Sequence, residues 1–198
     1  MSIDGLTCTE ALFRSAEVTK IVGMQQDMLR LWRSRGHLPK KMGRGAVYTA
    51  SEVAEIMVRY ALSNYGFAPA KSAPIGRQCA SNVIRLALLN HPNCCEIAGP
   101  KMRVEALQRS HRDSDEAAMS LSNCDASYDF VVRRDGEEPE LVRDIPEALD
   151  ERHFKCAMVL NLHKCAEILT KASGTSLFVC EYAKERGQEF VRMSLEGS

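Results

Sequence analysis

Residues 13–60 read FRSAEVTKIVGMQQDMLRLWRSRGHLPKKMGRGAVYTASEVAEIMVRY, and the order of signals in this stretch decides the fold. Ser15 is a candidate N-cap for a first helix whose Val18, Ile21 and Val22 share one face, and Gly23 ends it. A second helix follows at once. Between Gln25 and Arg35 the spacing predicts Met28, Leu29 and Trp32 inward and Gln25, Gln26, Arg30 and Arg33 largely outward, until Gly36 stops the run. Two helices of two to three turns joined by a glycine turn make a helix-turn-helix, whose second helix enters the major groove of duplex DNA. The segment HLPKKMGRGAVY (37–48) then reads as a β-turn-β wing, with Pro39 at its entry, Gly43 and Gly45 at its tip and Val47-Tyr48 as the return strand. Thr49 and Glu52 form a capping box that opens a third helix, whose Val53, Ile56, Met57 and Tyr60 repeat at helical spacing.

Charge singles out the same stretch. The formal net charge of the 198-residue chain is zero, yet residues 14–48 carry Arg14, Lys20, Arg30, Arg33, Arg35, Lys40, Lys41 and Arg44 against only Glu17 and Asp27. A basic segment in an otherwise acidic chain is the electrostatic footprint of a polyanion partner. Arg14, Arg30, Arg33, Lys40, Lys41 and Arg44 are therefore candidate phosphate contacts. Gln25 and Gln26 are candidates for base edges, because an amide pairs bidentately with adenine. Arg35 serves either a phosphate or the C-terminus of its own helix, and Tyr48 either bonds a phosphate or closes the wing.

Outward from this core the chain is less explicit. Residues 1–12 read as a tail that packs Leu6 or Leu12 onto the domain at 13–67. Residues 68–124 read as a helical connector: Ile75, Cys79, Val83, Leu86 and Ala87 keep helical spacing from Pro74 to Asn90, and His91-Pro92 ends the run. At Tyr128 the pattern changes to period two. Phe130 and Val132 alternate toward Asp135-Gly136, a hairpin turn signal that leads to Leu141-Val142. A strand over 157–162, a helix over 165–173 closed by Gly174, and a strand over 176–182 complete a small α+β domain spanning 125–198. The fold class expected is α+β: an N-terminal winged helix-turn-helix, a helical connector and this small C-terminal domain.

The eight cysteines (Cys8, Cys79, Cys94, Cys95, Cys124, Cys156, Cys165, Cys180) would suit a disulfide framework in a secreted chain. With neither a basic start and apolar run at the N-terminus nor a stretch of about 20 apolar residues, the reading is a cytoplasmic, nucleoid-associated protein with reduced thiols, mostly buried as small hydrophobes. His91 with Cys94 and Cys95, and His153 with Cys156, His163 and Cys165, offer imidazole and thiolate, but no CxxC pair accompanies them, so no metal or other cofactor is assigned. Cys94 or Cys95 is a further candidate as an exposed redox thiol near a helix end. The acids from Asp135 to Glu151 lack a spaced His or Ser partner and any phosphate-binding glycine motif, and read as a solvated face, not a catalytic one.

The first 75 or so residues resemble the MerR-type family of bacterial transcription regulators. The residues that carry the resemblance are Ser15-Ala16-Glu17-Val18 with Gly23-Met24, Leu29-Arg30-Leu31-Trp32-Arg33, Gly36-His37-Leu38-Pro39, the basic wing ending in Tyr48, Ser51-Glu52-Val53 with Ile56, and Gly66-Phe67. The resemblance implies a homodimer on a near-palindromic promoter site, with Arg30 and the recognition-helix surface on DNA and the wing on the backbone; members of this family commonly distort the promoter spacer. In place of the family's long coiled-coil helix, this chain has Pro92 and Pro100 and no sustained heptad.

The expectation is a non-enzymatic, sequence-specific regulator of transcription that binds double-stranded DNA as a homodimer, with RNA polymerase or another protein as a partner for the C-terminal domain, and no membrane. Two alternatives stand beside it. One is a phage or mobile-element DNA-processing or architectural factor of the recombination directionality or terminase small subunit type. The other is a metal- or redox-responsive regulator using the Cys and His residues of the C-terminal half.

Overall fold

The computed structural model describes residues 2–3, 5–39, 41, 46–91, 93–113, 116–149, 155–184 and 187–195. The chain opens with β1 (Ser2–Ile3), β2 (Leu6–Glu10) and β3 (Leu12–Arg14), then α1 (Ser15–Val22), α2 (Gln26–Ser34), β4 (Val47–Thr49) and α3 (Ala50–Asn64). α4 (Ala73–Asn90), β5 (Cys95–Pro100), α5 (Lys101–Asp113) and α6 (Glu116–Ser122) follow. The remainder is β6 (Phe130–Arg134), β7 (Glu140–Val142), α7 (Ile145–Leu149), β8 (Ala157–Asn161), α8 (Leu162–Ser173), β9 (Phe178–Tyr182) and β10 (Phe190–Ser194). The architecture is α+β.

α4 lies at the centre. Pro74 sits in its first turn, where a missing N–H costs nothing, and His91 caps its end. Ile75, Cys79, Val83, Ile84, Leu86, Ala87 and Leu88 are all buried, because α3, α6 and α8 pack around it. Each of the Ile, Val and Leu side chains among them, taken fully out of water, contributes about 1.5–3 kcal/mol. Two polar residues on α4 are buried with partners. Arg85 pairs with Asp129 at 2.8 Å and Asn82 Oδ1 accepts from the Tyr128 N–H at 2.7 Å, which holds the entry to β6 against the helix.

The sheets depart from the sequence-based expectation in three places. Residues 1–12, expected as a tail, contain β2, which pairs antiparallel with β9 from Leu6↔Tyr182 to Glu10↔Phe178. β5 lies inside the region read as a helical connector and occupies the interior of a sheet ordered β1-β2-β9-β5-β10, parallel to β9 and antiparallel to β10. Its CEIAGP sequence is buried on both faces and small, so it shows no alternation to read. The return strand β4 pairs with β3, upstream of α1, so that Phe13 and Tyr48 face each other in the core while Leu12 and Val47 point out. The hairpin at Asp135-Gly136 forms as expected, with Gly136 at φ 83° and β6 flanked by β7 and β8.

Between α3 and α4 the packing depends on a missing side chain. A Cβ on Gly76 would stand 2.5 Å from Cγ and 2.8 Å from Cδ of Arg59, which is only 1% exposed and held by its own hydrogen bonds. Gly76→Ala is expected to lower stability by about 1–3 kcal/mol, read from the urea midpoint, because Arg59 has no room to yield.

Candidate nucleic-acid interface

The turn between α1 and α2 is built by Gly23, left-handed at φ 72°, and closed by the Met24 N–H donating to Thr19 O at 3.1 Å. Glu17 accepts from the Arg14 N–H at 2.6 Å, which starts α1 one residue earlier than the Ser15 cap expected. Gln25 is the N-cap of α2. From there Leu29 and Trp32 point into the core and Gln25, Gln26, Asp27, Arg30 and Leu31 point out. Met28, expected inward, is 40% exposed, since the buried stripe of this short helix narrows to two residues. It stands on the outward face with Gln25, Gln26 and Arg30, against the inward side that the periodicity predicts.

The orientation of α2 is set by Arg59 on α3, which sequence reading passed over. Its guanidinium pairs with Glu55 at 2.7 Å, donates to His37 O at 2.6 Å and Pro69 O at 3.0 Å, and lies 5.8 Å from the Trp32 ring centre. Trp32 also meets Tyr60 edge-on at 6.4 Å. The loop leaving α2 is thereby tied to α3.

The basic candidates divide by how they are engaged. Among the described residues Arg30 pairs only with Asp27 at 3.1 Å, both well exposed, a contact of little strength that a phosphate or base can displace. Arg14, Arg33 and Arg35 have no side-chain partner among the described residues; Arg35 ends α2 through its backbone N–H alone, so its guanidinium does not cap the helix. Lys41, expected on a phosphate, is committed inward: its ammonium is bonded to Glu52 and stands 5.3 Å over the Tyr48 ring. Glu52 also takes the Thr49 N–H at 2.9 Å in the capping box, so one carboxylate fixes both the helix start and the wing base. Tyr48, offered as a phosphate contact or a closure of the wing, is 1% exposed and takes the second part; its hydroxyl has no partner among the described residues. Lys40, Gly43, Arg44 and Gly45 lie outside the described residues, as does His153.

The thiols are mostly core. Burial pushes Cys94 and Cys165 up to about 12, and Cys79 and Cys95 also upward, so none of them is an exposed redox thiol. Against the expectation of reduced cysteines throughout, Cys8 and Cys180 form a disulfide. Among the described residues no three His, Cys, Asp or Glu side chains converge to hold a metal ion, and no helix is long and apolar enough to cross a membrane.

No curated protein matches the chain. Residues 13–73 match the family described as MerR HTH family regulatory protein, a span that begins at β3 and ends where α4 begins. The N-terminal domain of this chain, with its glycine turn, outward α2 face and Glu52-anchored wing base, is a MerR-type helix-turn-helix domain of a DNA-binding transcription regulator family.

Proposed function

We propose that the protein regulates transcription by reading a specific sequence in duplex promoter DNA as a homodimer. The observation that carries this reading is the outward face of α2, where Gln25, Gln26 and Arg30 stand exposed beside Met28. Gln reads adenine, Arg reads guanine or a phosphate, and the apolar Met28 side chain suits a thymine methyl. Arg14, Arg33 and Arg35 add phosphate contacts that fix register. A near-palindromic site follows from two copies related by a two-fold axis.

Selection of bound fragments from a random duplex library tests both parts. The wild-type chain is expected to recover an inverted repeat with half-sites about one helical turn apart. Arg30→Ala should lose preference at one position of each half-site, weakening the selected site about tenfold. Motif-free binding that the substitution leaves unchanged would sink the proposal in favour of an architectural or packaging role.

A further inference from the structure

Cys8 and Cys180 face each other across the β2–β9 ladder and are joined as a disulfide, and Cys95 on β5 completes a row of three sulfurs, its thiol within donating reach of both Glu96 O at 3.7 Å and Cys180 Sγ at 3.8 Å. The two ends of the disulfide differ in access. Cys180 is wholly buried, whereas Cys8 is half-buried and lines a cavity of about 450 Å³. That cavity lies where β2 meets the first turns of α3, the middle of α4 and the end of α6, and Glu10, Ser51, Arg77, Ser81 and Phe178 form part of its wall. The carboxylates there are engaged: Glu10 accepts from the Ser51 N–H and hydroxyl, Glu52 holds Lys41, and Glu55 holds Arg59. Arg77 is exposed and makes no hydrogen bond or ion pair among the described residues. It is a cation on the wall of a cavity that leads to a sulfur.

We propose that this cavity admits a small thiol bearing carboxylates, of which glutathione is the probe, and that Cys8 is the residue it modifies. The incoming thiol loses its proton and its sulfur attacks Cys8 Sγ. A new S–S bond forms there as the Cys8–Cys180 bond breaks; the electron pair leaves on Cys180, which then takes up the proton. The disulfide is the oxidant, so no further reagent is required. Two features direct attack to Cys8: it is the cysteine of the pair that lines the cavity, and the Cys95 S–H can turn from the Glu96 carbonyl to stabilise the charge arriving on Cys180. Burial holds Cys95 in its thiol form, so it acts as a donor and positioning residue and does not compete as a nucleophile. Arg77 engages a carboxylate of the incoming molecule, with Ser81 beside it on α4.

The experiment treats the oxidised full-length protein with glutathione and, separately, with uncharged 2-mercaptoethanol, and maps adducts by peptide mass spectrometry under non-reducing conditions. Glutathione is expected on Cys8 with Cys180 left as a free thiol. Arg77→Ala should slow the glutathione reaction about three-fold and leave the mercaptoethanol reaction unchanged, since only the former carries charge for Arg77 to hold. Cys95→Ala should slow both alike. An adduct on Cys180, no adduct on Cys8, or an Arg77→Ala protein that does not distinguish the two thiols would overturn the proposal. If the protein is isolated with both thiols reduced, glutathione disulfide is the probe; attack on it by the Cys8 thiolate should place the adduct on the same residue, and its absence there counts equally against the site.

Discussion

Arg59→Ala is expected to lower the free energy of unfolding by about 3 kcal/mol, read from urea denaturation. The guanidinium is 1% exposed and serves four neighbours at once: the Glu55 carboxylate, the carbonyls of His37 and Pro69, and the face of Trp32. Truncation removes the donor from three acceptors in a region that water does not freely enter, which costs more than the pair itself contributes. The alkyl stem also fills the space against Gly76, so a cavity adds to the loss. Arg59→Lys should recover little, because an ammonium presents no planar fork to a carboxylate and two carbonyls on different loops. Arg59→Met, which keeps the volume, separates the two contributions: a loss near that of Ala would assign the effect to hydrogen bonding. A loss below about 1 kcal/mol in Arg59→Ala would mean that these bonds are replaced by water at no cost. Because His37 leaves α2, the same substitution is expected to loosen the recognition helix before the core melts.

The parts of the fold legible in the sequence are those whose signals are local. Gly23 between two short amphipathic runs, Thr49 with Glu52 at capping-box spacing, and Asp135-Gly136 between alternating strands each declare an element within a few residues. The five-stranded sheet was not legible, because its strands come from residues 2–10, 95–100, 178–182 and 190–194, and the interior strand β5 is small and buried on both faces. Pairing at such separations leaves no trace in periodicity. The interface was legible in its charge and order but not in its commitments. Lys41 looks as free as Arg30 in the sequence, and only the position of Glu52 shows that one is bound and the other available. Arg59 was invisible for a related reason: a charged residue amid an amphipathic helix reads as its solvent face unless the partners on distant loops are known.

Those commitments separate the basic residues in a second measurement. Binding of the full-length protein to its selected duplex is expected to fall about a thousandfold between 50 and 200 mM monovalent salt, since each phosphate neutralised contributes a slope of about −0.9 in log K against log salt and a dimer engaging six or so phosphates reaches about −5. The exposed Arg14, Arg30 and Arg35 and the half-buried Arg33 are the residues expected to carry the slope. Alanine at Arg33 or Arg35 should reduce it by about one for each protomer and weaken all duplexes alike, the mark of a phosphate contact. Lys41→Ala should leave the slope unchanged, because the Lys41 charge is already neutralised by Glu52 before any DNA arrives. Its effect belongs to stability: the Thr49–Glu52 cap survives while the wing base loses its tie to α3. A slope that falls as much for Lys41→Ala as for Arg35→Ala would show that the Lys41–Glu52 pair opens on the duplex, and would move the wing base into the contact surface.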